Sequence, residues 1–327
     1  MFSFKQLLGG CVVAACIYFG YKHFTNGRDI FTDAEIWVTE VLKQTEQPEQ
    51  PTIPTDSDDK FPDDDTKVIV KDDKNKKQDD VKPSKTGDYL PESKSGEVIE
   101  HQYFTLSYNE KHEQAEWVAY ELKRTMFGQE KFDRKDNFKP DPDVSTESAL
   151  PTDYRGSGYD RGHLCPAADM SFDEKALDET FFMSNMSPQT PALNHGIWRE
   201  LEENTRDWAK RFKHLYVVTG PILRNTRGYI GKKNKISIPT SYYKILLDLS
   251  KNEPKAIAYI IPNELRTETL DDFACSIDKV EKQTGINFFP KLMSAAQETS
   301  IEANYDIQKW RWNPNRYQLR LEKWNKE

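Results

Sequence analysis

Apolar and polar positions divide the chain into three stretches. The first opens on a compact apolar run, Leu7 to Phe19 (LLGGCVVAACIYF), with Lys5 ahead of it and Lys22, His23 and Arg28 behind. A bilayer span asks for ~20 apolar residues, so the run is short for a span and has the length of a signal-peptide core. Gly20 and Tyr21 extend it, and Lys5 and Lys22 can snorkel. A small-residue cleavage site around Ala14 to Cys16 is followed at once by Ile17, Tyr18 and Phe19, where a mature N-terminus would be polar. An uncut anchor, a cleaved signal and a mitochondrial-type address are the readings open here. Asp33 to Leu42 (DAEIWVTEVL) is a short amphipathic piece, read as a juxtamembrane helix. From Thr45 to Glu97 apolar positions thin out among runs such as DSDDK, PDDD and KDDKNKKQDD. Such a stretch buries too little apolar surface to offset its ordering entropy, and it is read as a solvated tether.

Beyond Val98 the pattern becomes that of a folded body. Tyr103 to Tyr108 alternates with period two and predicts a strand. Ala115 to Leu122 (AEWVAYEL) fits strand or helix, and its Trp, Val and Tyr favour strand. Glu174 to Phe182 reads as a helix. Ala192 to Phe212 reads as a longer one, with Leu193, Ile197, Leu201 and Trp208 near one face. Leu215 to Thr219 is a buried strand ending at Gly220-Pro221; Ile236 to Ile238, Tyr242 to Leu249 and Ala256 to Ile261 continue the sheet. Helices are expected around Leu270 to Thr284 and Lys291 to Ala296. Strands and then helices, without a regular βαβ rhythm, indicate an α+β fold.

Composition sharpens this division. The 327 residues are 36% hydrophobic and 31% charged, with a mean hydropathy of −0.82 in the full chain. That is too polar for one compact globule of this length, while a 12% aromatic share is too rich for full disorder. The net charge is −8, and almost all of the acidic excess falls in the first hundred residues. The remainder is close to neutral, so an anion bound there must meet a local basic patch. The expected layout is an N-terminal apolar segment over 1–30, a juxtamembrane helix and acidic linker over 31–97, and a folded domain over 98–327.

The chemistry is concentrated between Tyr154 and Met170 (YRGSGYDRGHLCPAADM). Arg161 and His163, two apart, fall on one face of an extended strand. A guanidinium beside a neutral imidazole suits a phosphodiester: Arg holds phosphate oxygens and His takes a proton from water. Because the imidazole must be neutral to act, an unperturbed His would let the rate fall below about pH 6.5. Further on comes Leu193-Asn194-His195-Gly196-Ile197-Trp198-Arg199-Glu200-Leu201-Glu202. Asn194 offers a carboxamide oxygen, a hard neutral donor of the kind Mg²⁺ accepts, or it caps the helix. Glu202 is two turns on, about 12 Å along the axis. It would act through water or orient a basic side chain, or pair with Arg199 or Arg206 on its own helix. Asp160 is read as hydrogen-bonding to backbone or Arg, His195 as pointing away, Asn185 as a support residue and Trp198 as core.

Asp160-Arg161-Gly162-His163, backed by Leu193-Asn194, Trp198 and Leu201-Glu202, resembles the DNA/RNA non-specific endonuclease family. Asp153 to Gly158, Phe182 to Asn185, Ser187-Pro188-Gln189 and Val218 to Pro221 add to the likeness, which spans roughly Tyr103 to Arg320. The resemblance implies a ββα-metal nuclease core on a mainly antiparallel sheet with flanking helices. It implies one Mg²⁺, with Mn²⁺ as a substitute, held by Asn194, waters and substrate phosphate. His163 would be the general base, Arg161 the phosphate ligand, and Glu202 the holder of the metal's outer shell. Arg134, in FDRKD, is the candidate for the family's upstream Arg. DNA and RNA would both be substrates, cut to 5′-phosphate and 3′-hydroxyl ends. A homodimer and a membrane contact through the N-terminal segment are further expected partners.

Several features stay open at this stage. Cys165 and Cys275 suit either a bridge in an exported protein or two buried thiols. Basic clusters at Arg224, Arg227, Lys232, Lys233 and Lys235, and at Lys309, Arg311, Arg316 and Arg320, are read either as groove or as solvated surface. Tyr229 and Tyr242–Tyr243 either stack bases or pack in the core. Positive residues flank the apolar run on both sides, so topology is undecided, although a nuclease facing the host cytosol would be toxic and an outward or secreted domain is expected. The rival readings are a catalytically silent nucleic-acid-binding or uptake protein of the same fold, and a surface interaction module working through its tether.

Overall fold

The computed structural model describes residues 87–93, 95–128, 131–250 and 253–326. The apolar run, the amphipathic piece and most of the acidic tether lie outside the described residues. Among the described residues no helix is long and apolar enough to cross a membrane.

The strands are β1 (Glu97–Glu100), β2 (Phe104–Asn109), β3 (Gln114–Lys123), β4 (Asp160–His163), β5 (Met186–Gln189), β6 (His214–Pro221), β7 (Tyr229–Ile230), β8 (Ile236–Ser237), β9 (Ser241–Asp248), β10 (Lys255–Pro262) and β11 (Ala274–Cys275). The α-helices are α1 (Glu174–Glu179), α2 (Arg199–Phe212), α3 (Ile277–Thr284), α4 (Ala295–Glu302) and α5 (Pro314–Glu322). Seven strands form one sheet in the order β1-β2-β3-β6-β9-β10-β11, every neighbouring pair antiparallel. The fold is α+β, with that sheet at its centre.

The central strands read as nearly unbroken apolar runs because both faces of the sheet are buried. Alternate residues go to opposite sides. Val118, Tyr120 and Leu122 of β3, Leu215 and Val217 of β6, and Ile257 and Tyr259 of β10 join a core that also takes in Leu201 and Trp208 of α2. Trp117, Ala119, Val218, Ile245 and Ala258 face the other core, against Ile277 and Val280 of α3. Cys165 belongs to the first core and Cys275 to the second; both are free, buried thiols, which closes the bridge question. Tyr89 is buried in the second core with its ring 5.4 Å from Tyr216, so packed chain reaches upstream of residue 98.

Four sequence expectations need correcting. The stretch around Ile236 does not continue the sheet; β8 pairs with β7 in a separate two-stranded ribbon. Leu270 to Thr284 is not one helix but a 3₁₀ turn (Leu270–Phe273), the edge strand β11, and α3, which starts after Ser276 because that hydroxyl accepts from Lys279 N at 3.3 Å. The next helix begins at Ala295 rather than Lys291, behind a Ser294–Gln297 capping box. The cluster around Lys309 and Arg320 is not a free basic face: Lys309 pairs with Glu253, Arg316 with Glu203 and Asp207, and fully buried Arg320 with Glu200.

Candidate active site

The site is built on a second small ribbon. β4 runs antiparallel to β5, with Asp160 opposite Gln189 and His163 opposite Met186. Gly162 is required here by close approach: a Cβ would lie 2.3 Å from the buried Gln189 side chain. The ribbon is fixed to the sheet by polar groups. The Ser187 hydroxyl donates to Gln114 at 2.5 Å and lies 2.7 Å from the Tyr242 hydroxyl, while Tyr242 and Asn263 both donate to the Pro188 carbonyl at 2.9 Å. Tyr242 and Tyr243 are thus core residues. Asn185, fully buried, accepts from Cys165 N and donates to the Cys165 and Thr180 carbonyls, which anchors the end of β4 as a support residue.

The chain then enters the expected long helix, but not as one piece. Ala192–Trp198 is a π-helical turn with Gly196 out of helical geometry, and α2 starts at Arg199. Single π turns inside helices re-aim side chains. Thr190 caps this turn: its hydroxyl accepts from Leu193 N at 3.2 Å and its carbonyl from Asn194 N at 2.9 Å. Asn194 is therefore free of capping duty. Its Nδ2 donates to Asp160 Oδ2 at 3.0 Å, and His195 Nε2 lies 3.2 Å from the same oxygen. His195 thus turns into the site rather than away from it, and the partners of Asp160 are Asn194 and His195 rather than backbone or Arg. With its amide nitrogen engaged, the Asn194 carbonyl oxygen accepts no hydrogen bond among the described residues, and Asp160 keeps its other oxygen. A carboxamide oxygen and a carboxylate oxygen side by side fit a hard cation such as Mg²⁺.

At the other end of β4, three basic side chains share an aromatic floor. The His163 ring packs edge-on to Phe181 at 5.1 Å and lies 5.8 Å from Phe138. The Arg161 guanidinium stacks over Phe138 at 4.1 Å, and that of Arg134 lies 5.2 Å from Phe181 while pairing with Asp136. Burial pushes the His163 imidazole down to about 3, with the Arg134 and Arg161 charges adding to it and Asp136 opposing. His163 Nε2 is buried without a hydrogen-bond partner among the described residues. Phe181 also borders an open cleft of about 800 Å³ whose rim carries Lys135, Lys175, Asp133, Asp173 and Glu174.

Glu202, on α2, keeps company with other charged groups. Burial raises its carboxyl to about 7, against the pull of Lys244 and Arg206 and with the push of Asp169. Asp169 pairs with Arg206 at 3.1 Å and accepts from the Tyr120 hydroxyl at 3.0 Å; buried Lys244 stands 5.1 Å over Trp198, itself core. The structure therefore joins Asn194 to Asp160, and gathers Arg134, Arg161 and His163 on the Phe138 and Phe181 rings, while the charges acting on Glu202 are those of Lys244, Arg206, Asp169 and Glu203. Phe138, Phe181, Asp169 and Lys244 escape a reading of the sequence because nothing local marks them.

Another set of donor atoms gathers at His101, Asp141 and Asp143. His101 Nε2 meets Asp141 at 3.0 Å and Nδ1 faces Asp143 at 3.9 Å, so each ring nitrogen is turned to a different carboxylate. The basic loop after β6 stays at the surface: Arg227 pairs with Glu264, Lys233 with Glu147, and Lys235 covers the exposed Tyr229 ring.

The family model for DNA/RNA non-specific endonucleases matches residues 86–295. Nuclease C1 of Cunninghamella echinulata var. echinulata is 36% identical over 214 residues, which are 60% of this chain and 84% of that protein. Mitochondrial endonuclease G of Homo sapiens is 32% identical over 206 residues, 59% of this chain and 69% of that one. Among solved structures, a chain of the EndoG/EndoGI complex superposes with a TM-score of 0.56 at 31% identity, covering 60% of this chain and 86% of its own.

Proposed function

The chain belongs to the DNA/RNA non-specific endonuclease family, and from that premise we propose that it hydrolyses phosphodiester bonds of DNA and RNA, leaving 5′-phosphate and 3′-hydroxyl ends. The observation that carries this reading is the state of His163: an imidazole that burial and the charges of Arg134 and Arg161 keep neutral, with Nε2 turned unpartnered into the protein. Nδ1 is then the base that takes a proton from the attacking water, and Nε2 keeps its hydrogen against the aromatic floor. Arg161 and Arg134 hold the phosphate oxygens and stabilise the charge that builds on phosphorus. Asn194 and Asp160 would hold Mg²⁺, or Mn²⁺ in its place, which when bound supplies a Lewis acid at the phosphate oxygens. Glu202 orients Arg206. The groups that meet substrate address phosphate rather than base edges, which accounts for indifference to sequence and sugar.

The same reading sets the domain outside the cytosol, held by or released from the apolar N-terminal run. A plasmid-nicking assay of the full chain, with Mg²⁺ and with EDTA, tests the activity. Cutting should require the metal, His163→Ala should abolish it while DNA binding survives, and Asn194→Ala should raise the Mg²⁺ requirement. Folded protein that binds DNA but never cuts it would favour the catalytically silent alternative.

A further inference from the structure

Away from the nuclease site, α3 and α4 meet through a group of acids. Asp278 and Glu281 lie one turn apart on α3, and Glu302 is the last residue of α4. Their carboxylate oxygens all lie within 4.8 Å of one another. Glu298, four residues before Glu302, lies on the same face of α4. Like charges this close repel, and the charges acting on Glu302, from Glu281, Glu298 and Asp278, are all acidic. Glu302 is only 5% exposed, and its Oε1 is buried with no hydrogen-bond partner among the described residues. Glu281 is held in position by the Phe288 amide, which donates to its Oε1 at 2.9 Å. A buried carboxyl crowded by two carboxylates, with one oxygen left without a donor among the described residues, is a costly arrangement unless something positive fills the gap.

We propose that Asp278, Glu281 and Glu302 form a structural calcium site that ties α4 to α3. The donors are all hard oxygens, three carboxylates strong. Calcium accepts such sets in flexible geometry, whereas magnesium prefers few carboxylates and most of its own waters. Calcium–oxygen bonds run about 2.3–2.6 Å, and three oxygens within 4.8 Å of one another have a common centre at most about 2.8 Å from each, so a shift of a few tenths of an ångström brings all three onto one ion. The exposed side at Asp278 leaves room for water to complete the shell. Asp278 and Glu281 lie within the family match and Glu302 lies beyond its end at residue 295.

The test is thermal unfolding of the full chain, stripped with EDTA and then titrated with calcium chloride alone. At a hundredfold excess over the dissociation constant the midpoint should rise by about 5–10 °C. The rise should persist in Asn194→Ala, be lost in Glu302→Gln, and shrink in Asp278→Asn, an exposed change that does not endanger folding. In EDTA, Glu302→Gln should melt no lower than the parent, since it removes an uncompensated carboxylate. An equal calcium response in the parent, Glu302→Gln and Asp278→Asn would overturn the proposal, as would a response that disappears with Asn194. Neither result depends on nicking activity in Mg²⁺.

Discussion

An imidazole walled by Phe138 and Phe181 and faced by two guanidinium groups gains little from a proton. Sequence alone places the acid limb of activity near pH 6.5, the range of an ordinary histidine. The structure moves it down, because burial first and the two Arg charges second hold His163 at about 3. The neutral base therefore persists well below pH 6, and the limb of kcat/KM should lie there. Phe181→Ala, which opens the ring to water, should bring that limb back up toward 6.5; an unchanged profile would mean that burial is not what sets it. A pH–rate series on nicking measures both. Stability carries the matching sign. The unfolded chain takes up a proton near 6.5 that the folded chain refuses until about 3, so the contribution of His163 is complete above 6.5 and is lost as pH falls through that window. What is legible in sequence at this scale is the reactive set, since Asp160, Arg161 and His163 are contiguous and Asn194 opens the next motif. What is not legible is the tuning. Phe138 and Phe181 reach the ring only through folding, and the partnership of Asp160 with Asn194 and His195 depends on a π turn that no helical period announces.

At the scale of elements, α2 must hold Asn194 steady, and what braces it is α5, a helix that its weak apolar pattern conceals. Arg320, read from sequence as part of a basic patch, is fully buried. Its Nε lies 2.5 Å from Glu200 on α2, and its two terminal nitrogens donate to the Arg266 and Glu268 carbonyls at 2.6 Å. Arg316 on the same helix pairs with Glu203 at 3.0 Å. Charge in the sequence does not say whether a side chain is solvated, and a 320–200 contact leaves no trace in local spacing. Strands are easier to read, because a sheet buried on both faces writes long apolar runs that survive without knowledge of partners. Ile236 is the exception: a two-residue strand looks the same whether it joins the main sheet or a ribbon. Arg320→Ala should cost about 3–5 kcal/mol in urea unfolding, since it strands the Glu200 carboxylate in the core. Glu200→Leu with Arg320→Met should recover most of that loss, because replacing both members of a buried pair by apolar groups is often neutral. A loss under about 1 kcal/mol in the single variant would show that α5 does not brace α2 through this pair.

For the whole molecule the uneven charge is the property with reach. The net charge is −8, yet the packed body is close to neutral and the acids crowd the first hundred residues. So many acids make that stretch a polyanion by composition, and it is expected to compete with nucleic acid for Arg134 and Arg161, most where screening is weakest. The Debye length is about 30 Å at 0.01 M salt and about 10 Å at 0.1 M, so the effect should fade across that range. Tyr89 already packs in the core and the family match begins at residue 86, so a chain lacking residues 1–86 retains the described body. In EDTA, where nothing is cut, that shortened chain should bind a DNA duplex several-fold more tightly than the full chain at about 0.01 M salt and nearly equally at about 0.15 M. Fluorescence anisotropy with a labelled duplex reads both values. Equal affinities at low salt would mean that the acidic stretch stays clear of the substrate face. A difference that persists at high salt would point instead to a specific contact between the segment and the domain, because a screened field cannot survive where ions are dense.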